Sequence, residues 1–419
     1  MNNIKFTILV TFFGLIISQP IQANGFLGIY NGLSNAGVGG AGIAGGKITD
    51  ASSINLNPAL AMEVPNQITF SLGANYQRQK FDTSKSTISH VLTAQGGPVL
   101  PAHKHPLTNE NKLFPSSFGG ATHRLNDKIV SGCGMNSLSW GGGGGFVRYQ
   151  KNIISPALPL ISKSFNLAAL TMPLTVAVQP TPWQSYGVSI ILGLAGFQTN
   201  LAKSTNPFVE TSGHNRLRMA GGLGARIGGK WNLSSQLSLG ATLSSPVYFT
   251  KFDSYQDVLP HRIELPMQAG GGLTWNFLPT TELLVDITGY FWKLSKITNK
   301  TPTHGGFGWR NTFAVMTGIN HKINDIWTFR LGYQYSMPPV RDKFLFENAF
   351  AAAHVFIKNI ITTGFNVNIT TCLALDGEIA YGFKARQKDP GTGPYYRLTR
   401  DVKMEASGLY ALAGFTWKY

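Results

Sequence analysis

Charged residues, cysteines and long apolar runs are all scarce in this sequence of 419 residues. Asp, Glu, Lys and Arg together make up 13% of the chain and 43% is hydrophobic, a balance that excludes an intrinsically disordered protein. Cys133 and Cys372 are the only cysteines, so a framework of several disulfides is excluded and one bridge at most can form. Beyond the N-terminus, Lys, Arg, Asp, Asn or Gly interrupts every apolar stretch, and we expect no transmembrane helix.

Acidic residues are especially few. Asp and Glu number 19 against 35 Lys and Arg, which gives a formal net charge of +16. Such a surface could attract nucleic acid, anionic lipid or acidic ligands. The export signal described next favours lipid and ligands, so we expect no nucleic-acid partner.

The N-terminus has the pattern of a secretory signal peptide. Lys5 supplies a short basic region, residues 6–17 are almost entirely apolar, and Ile21-Gln22-Ala23 form a small-residue cleavage site. The apolar run is too short to span a bilayer, although a signal anchor is the alternative. We predict a signal peptide over residues 1–23 and an exported protein, which must be a β-barrel if it lies in a membrane.

Apolar and polar residues alternate in successive runs after Pro65. Ile68, Phe70 and Leu72 lie on one face of the first run, the pattern of a strand with one lipid-facing side. We therefore predict an all-β fold, a transmembrane antiparallel β-barrel of about 14 strands over residues 65–419. A soluble sandwich or propeller is the alternative, but it does not require such long runs. The predicted strands cover residues 67–81, 116–125, 128–138, 167–179, 185–197, 216–228, 236–248, 262–277, 281–292, 309–321, 326–336, 357–369, 372–384 and 406–419.

The connections between these runs alternate in length. A long segment follows the first strand, whereas the turn Asn126-Asp127 joins the second strand to the third. Outer-membrane barrels combine short periplasmic turns with longer extracellular loops, so both termini should be periplasmic and the location the Gram-negative outer membrane. Aromatic residues near strand ends are typical of the interfacial girdle, with burial in a core as the alternative for any one of them. The predicted girdle includes Trp231, Trp275, Trp292, Trp309, Trp327, Trp417 and Tyr419.

Residues 24–64 differ from the rest because they are dense in Gly and Ala and show little periodicity. Glycine loses much backbone entropy on ordering, so this segment needs a container to fold. We predict that it is a hatch that plugs the barrel. Within it, a buried Asn57 beside Pro58 should satisfy backbone groups in a turn.

Motifs for catalysis or metal binding are either incomplete or absent from the sequence. Residues 37–42 fit GxGxxG without the required strand and βαβ unit, and residues 224–230 fit GxxxxGK with Trp231 in place of Ser or Thr. The nine histidines show no zinc-like spacing, and no GxSxG occurs. A Ser/His/Asp triad of the outer-membrane lipase type stays an alternative, since such triads are recognised by geometry. We predict a non-enzyme with no catalytic residue, metal or cofactor.

The segment around Asn57-Pro58-Ala59 resembles the FadL-type outer-membrane transporters of long-chain fatty acids and other hydrophobic compounds. Similarity to that family also lies in the mature start Asn24-Gly25-Phe26, in Leu259-Pro260, and in Leu331 to Ser336 followed by Pro338. The resemblance implies a fourteen-strand barrel with an N-terminal hatch, which agrees with the strand count. It also implies that Phe26, Asn57, Pro58 and Ala59 belong to the hatch and ligand channel.

The same resemblance implies passive uptake, in which a ligand leaves sideways through a gap made by a kinked third strand. Gly132 and Gly134 in the predicted third strand are candidates for that kink, because glycine weakens strand pairing. Ordinary packing is the alternative interpretation. Fatty acids, aromatic hydrocarbons and other lipophiles would all fit an apolar pocket, so the ligand stays open.

Charged residues on inward faces could bind a ligand carboxylate. We predict Arg218, Arg310 and Arg330 as candidates, with Asp286, Asp376 and Glu378 also inward. The alternative is that these cations and acids pair with one another as internal structure.

The last loop is basic and either contacts lipopolysaccharide phosphates or is simply solvated; its cations are Arg386, Lys388, Arg397, Arg400 and Lys403. The predicted partners are therefore a hydrophobic ligand, outer-membrane lipid and lipopolysaccharide, with the protein a monomer. A surface-exposed structural or adhesive barrel without a transport role is the alternative function.

Overall fold

The computed structural model describes residues 30–86, 103–109, 112–140, 147–148, 164–199, 216–348, 357–394 and 399–419. The predicted signal peptide, Phe26 and Arg397 lie outside these residues. Within them, no helix is long and apolar enough to cross a membrane.

Fourteen antiparallel strands form a closed barrel, which confirms the predicted fold class. The first and last strands pair along their whole length, from Gln67 opposite Lys418 to Asp82 opposite Lys403. The strands are β1 Gln67–Asp82, β2 Leu113–Asn126, β3 Ile129–Trp140, β4 Ser164–Thr181, β5 Gln184–Thr199, β6 Arg218–Asn232, β7 Leu237–Ser244, β8 Met267–Leu278, β9 Thr281–Phe291, β10 Thr312–Lys322, β11 Trp327–Ser336, β12 Asn359–Asn368, β13 Leu373–Lys388 and β14 Lys403–Lys418.

Side chains alternate between the two faces of the wall, as the sequence pattern predicts. On β5, Val188 and Ile190 are exposed on the outside, whereas Ser185 and Ser189 are buried on the inside. An apolar outer face suits contact with lipid tails, because hydrocarbon cannot hydrogen-bond polar side chains.

Prolines divide two of the predicted strands. The predicted strand 236–248 ends at Ser244 and resumes as Val247–Phe249 after Pro246, and the predicted strand 262–277 contains Glu264–Leu265, then Pro266, then β8. Proline has no N–H to donate to a ladder, which accounts for both interruptions. Two further short strands are Leu107–Thr108 and Val147–Arg148.

Helical turns lie in the N-terminal segment and in the long connections. The α-helical turns are α1 Leu33–Ala36 and α2 Lys296–Asn299, and the 3-10 turns are Ala51–Asn55, Pro58–Glu63, Asp253–Tyr255, Trp292–Leu294, Pro302–His304 and Asp342–Phe344.

Two predicted girdle tryptophans are instead fully buried beneath the long connections. Trp292 and Trp309 pack edge to face with ring centroids 4.9 Å apart. Trp309 donates from Nε1 to Oδ1 of Asn348 at 2.9 Å, and Trp292 donates to Oγ1 of Thr312 at 3.2 Å. Folding of the connections back over the barrel end covers both rings, so the alternative of a buried aromatic core holds for this pair.

Candidate functional site

Residues 30–64 lie inside the barrel and are almost entirely buried. The segment touches the inner wall on strands spread around the whole circumference, and a segment that does so in a closed sheet can lie only in the lumen. These approaches include Ala51 to Gly120 of β2, Pro58 to Gly187 of β5, Ile43 to Gly240 of β7, Val38 to Gly318 of β10 and Leu33 to Gly414 of β14.

Glycines in the wall make room for the segment. A Cβ atom on Gly318 would stand 2.4 Å from Cβ of Val38, and one on Gly240 would stand 2.3 Å from the Ile43 carbonyl oxygen. Both distances are far below van der Waals contact, so a larger residue at either position would push the segment away.

Hydrogen bonds to β8 and β9 hold the middle of the segment. Asp286 of β9 accepts from the N–H groups of Gly42 at 2.7 Å and Ile43 at 2.8 Å, both through Oδ2. Glu282 of the same strand accepts from the Lys47 N–H at 2.9 Å. The predicted inward carboxylate Asp286 thus binds backbone amides of the segment, with no cation needed.

Asn57 caps the 3-10 turn Pro58–Glu63 and ties the segment to β6. Its Oδ1 accepts from the Ala59 N–H at 3.0 Å, and its Nδ2 donates to the carbonyl oxygens of Ile43 at 2.8 Å and Gly229 at 3.1 Å. Pro58 stands first in this turn, where an N–H would have no helical partner. The predicted role of a buried Asn57 in satisfying backbone groups is confirmed, while its role in a moving hatch stays a prediction.

Among the described residues, Arg330 forms the most buried cluster of paired charges in the wall. Its Nη1 on β11 donates to Asp376 and Glu378 of β13, each at 2.6 Å, and all three side chains are nearly inaccessible. For Arg330, therefore, the geometry favours internal pairing over binding of a ligand carboxylate.

The other two predicted arginines are peripheral. Arg218 is exposed at the end of β6 nearest the long connections, and Arg310 precedes β10 and donates from Nε to the Pro338 carbonyl oxygen at 2.9 Å. Neither is among the residues that line the lumen cavities described next.

Arg226 of β6, which the sequence analysis did not select, occupies the lumen beside the segment. Its Nε donates to Ser244 Oγ at 2.5 Å, and its Nη1 donates to the Asn55 carbonyl oxygen. Among the described residues, no carboxylate forms a recorded ion pair with Arg226, in contrast to Arg330. Arg226 and Arg218 are an even number of residues apart on one strand, so strand parity could have identified Arg226 as inward-facing.

Two small adjoining cavities lie against Arg226 between the segment and the wall. They are narrow, with room for water-sized groups and not for a hydrocarbon chain. Residues common to both, besides Arg226, are Asn31, Asn55, Ser244 and Gln268. The first cavity also reaches Asn136 on β3 and Thr171 and Pro173 on β4.

The pairing of β3 with β4 is interrupted beside this cavity. Residues 129–133 pair with 174–178 and residues 136–140 pair with 167–171, but Gly134 and Met135 have no paired residue on β4. Pro173 stands opposite Gly134 and has no N–H to offer it. We call these four positions, Gly134, Met135, Met172 and Pro173, the ladder gap.

The segment reaches the ladder gap through Asn55. Its Nδ2 donates to the carbonyl oxygens of Gly119 and Met135, each at 3.1 Å, and a Cβ on Gly134 would stand 2.3 Å from its Oδ1. A Cβ on Gly132 would likewise stand 2.6 Å from Ile54. Both predicted kink glycines therefore face the segment, and Gly134 alone coincides with the ladder gap.

No known family model matches the sequence, and no curated protein matches it. Solved structures do match in fold: a FadL homologue of Pseudomonas aeruginosa has a TM-score of 0.66 at 14% identity, covering 94% of this chain and 99% of that chain. The toluene transporter TodX of Pseudomonas putida has a TM-score of 0.65 at 15% identity, covering 93% and 99% of the two chains.

A third match is the toluene transporter TbuX of Ralstonia pickettii, with a TM-score of 0.60 at 13% identity and coverage of 93% and 99%. This chain has the FadL-type fold. The fold agrees with an outer-membrane location, and two of the three matched proteins are toluene transporters.

The remaining sequence predictions concern metals and cysteines. Among the described residues, no group of three or more His, Cys, Asp or Glu side chains is placed to hold a metal ion. Cys133 on β3 and Cys372 in the turn before β13 are both free and exposed.

Proposed function

We propose that this protein is a monomeric outer-membrane channel through which hydrophobic small molecules enter by passive diffusion, with residues 24–64 as its hatch. The proposal rests on one observation above all. A closed FadL-type barrel holds in its lumen a Gly-rich segment that is attached to the wall by separate side-chain hydrogen bonds.

Passage of a ligand past Arg226 requires the segment to move, because the two cavities there are too narrow for a hydrocarbon chain. The bonds from Asp286 and Asn57 join the segment to the wall through polar atoms that water or a shifted backbone can satisfy instead. Such contacts suit a plug that is ordered at rest and displaced when a ligand binds.

We propose the ladder gap as the lateral exit. It combines a missing pairing, a proline without an N–H, a wall glycine and direct contact with Asn55. A ligand that displaces Asn55 would remove a contact next to an interruption in the strand pairing of the wall. Exit there would deliver a hydrophobic molecule into the membrane without crossing the aqueous periplasm.

Arg226 favours an amphipathic ligand with a carboxylate, such as a long-chain fatty acid. A guanidinium without an acidic partner in a confined polar cavity has donors available for an anion. The toluene transporters among the matched structures favour an aromatic hydrocarbon instead, for which Arg226 would offer no charge pairing.

Uptake measurements can separate these ligands. Cells that lack their own transporter would express the protein, Arg226→Gln or the matched control Arg218→Gln, and uptake of radiolabelled oleate and toluene would be compared. We expect oleate uptake by the native protein and its loss in Arg226→Gln only. Toluene uptake that is unaffected by either change would favour the hydrocarbon ligand.

Asp286→Ala tests the hatch directly. It removes both amide contacts to Gly42 and Ile43, and Asp325→Ala in an exposed turn serves as its control. A changed rate of uptake for Asp286→Ala would support gating by the segment. Heat-modifiable gel mobility would show whether each barrel is folded. If the folded proteins take up neither solute, transport is rejected and the surface-adhesive alternative is favoured.

A further inference from the structure

A band of cations faces outward where β13, β14 and β1 approach the long connections. On β13, Lys384, Arg386 and Lys388 are all exposed. On the neighbouring strands the outward cations are Lys403 of β14 and Lys80 and Arg78 of β1. These six residues form what we call the rim patch.

A β-bulge places the β13 cations on the outside. From Leu375 to Phe383 the exposed residues of β13 are odd-numbered, but the register with β14 shifts between Gly382 and Ala385. After the shift the even-numbered residues are exposed, and Ala385, Gln387 and Asp389 turn inward. Without this extra residue all three cations of β13 would point into the lumen, because strand side chains alternate.

The register aligns the patch into rows across the three strands. Arg386 and Lys80 stand on either side of Glu405, and Lys388 and Asp82 stand on either side of Lys403. A row of Tyr76, Leu409 and Tyr381 lies on the bilayer side, four residues along β1 from Lys80. Tyrosines mark the membrane interface, and the cations lie beyond the tyrosine row at the depth of lipid headgroups, with Lys80 about 13 Å from Tyr76 along the tilted strand β1.

Acidic residues within the patch form ion pairs with some of the cations, but they are fewer than the cations. Glu405 binds Lys384 at 2.8 Å and Arg386 at 2.5 Å, and Asp401 binds Lys388 at 2.5 Å. Among the described residues, no ion pair is recorded for Arg78, Lys80 or Lys403. With Asp82, three acids face six cations, which leaves an excess of positive charge.

We propose that the rim patch is a binding site for the phosphates of lipopolysaccharide in the outer leaflet. Spaced Lys and Arg side chains above an aromatic interface match the charge and the depth of lipid A phosphates. The site is independent of the proposed transport role, since none of its residues faces the lumen.

The test uses the full-length protein purified in detergent and measures its affinity for purified lipopolysaccharide. Lys384→Gln with Arg386→Gln and Lys388→Gln should weaken binding about tenfold or more, since each cation near an anionic surface contributes several-fold. The matched triple of Lys251→Gln, Lys293→Gln and Lys296→Gln removes the same charge from loop residues and should change affinity less than about twofold. A second variant, Glu405→Gln, increases the excess charge and should strengthen binding.

Heat-modifiable mobility identifies variants that fold. Glu405→Gln should raise the affinity for lipopolysaccharide, whereas the rim-patch triple should lower it. Poor folding of the triple variant could explain a lower affinity but not the higher affinity of Glu405→Gln. Equal losses in both triple variants, or equal binding of phosphatidylglycerol vesicles and lipopolysaccharide, would overturn the proposal, as would unchanged binding in the rim-patch triple.

Discussion

An inward-facing arginine has different partners in two parts of the barrel wall. In the β11–β13 wall, Arg330 meets two carboxylates, and the neighbouring strands pair without interruption. In the β3–β6 wall, Arg226 has polar partners but no recorded acid, two cavities adjoin it, and the ladder gap lies close by. The first arrangement is typical of an internal ion pair that stabilises the fold. The second is typical of a binding site, in which a ligand anion could pair with the arginine.

The largest effect should follow from Arg330→Gln. It leaves Asp376 and Glu378 buried without a cation, and removing one partner of a buried pair costs about 3–5 kcal/mol. We expect a lower midpoint of urea unfolding, followed by heat-modifiable mobility in detergent. An unchanged midpoint would contradict the structural role of Arg330.

Arg226→Gln should destabilise less, by at most about 3 kcal/mol, because it strands no buried carboxylate. Its oleate uptake should instead fall about tenfold, equivalent to about 1.4 kcal/mol. If Arg226→Gln instead lost as much stability as Arg330→Gln and kept normal uptake, both arginines would have the same structural role. The contrast between the two parts of the wall would then be wrong.

Asn57→Ala tests how firmly the segment is attached on the β6 side. Loss of the cap should cost about 1–2 kcal/mol and make residues 30–64 more sensitive to protease. Asn324→Ala is the control, since Asn324 also accepts backbone hydrogen bonds, from Ile326 and Trp327, but in an exposed turn. Equal protease resistance and uptake in both variants would rule out an anchoring role for Asn57.

Pro173→Ala tests the ladder gap by restoring an N–H opposite Gly134. A new ladder bond should stabilise the wall by about 0.5–1.5 kcal/mol and slow oleate uptake. Hydrogen exchange would report protection of the new amide, with Pro180→Ala near the end of the same strand as control. A protected amide together with unchanged uptake would argue against exit at this position.

The smallest effect concerns the connection between β11 and β12, which lies away from both arginine sites. Burial, with a smaller contribution from Asp389, raises the pKa of Glu347 to about 7. The folded state therefore binds more protons than the unfolded state between about pH 4.5 and 7, so local stability should fall as the pH rises through this window. Hydrogen exchange of residues 342–348 should show this trend, and Glu347→Gln should abolish it; a trend that persists would assign it to another group.

Sequence reasoning located the strands well because a barrel wall separates two environments. Every predicted strand corresponds to an observed one, and the main departures occur where Pro246 and Pro266 interrupt ladders. The Asn57 cap was also predictable, because a buried Asn side chain needs hydrogen-bond partners and an Asn before Pro favours a turn. Strand parity places Arg226 inward together with Arg218, but parity does not show which inward-facing arginines meet an acid.

The sequence by itself determined the alternating pattern, the number of strands and the need of residues 24–64 for a container, because these depend on local periodicity and composition. The tertiary structure decided which cations are paired, where the ladder is broken, and which way Lys384, Arg386 and Lys388 point. Those outcomes depend on contacts between residues far apart in the chain. A single added residue at the β13 bulge reverses the facing of every side chain after it, and the pairing with β14 reveals that shift.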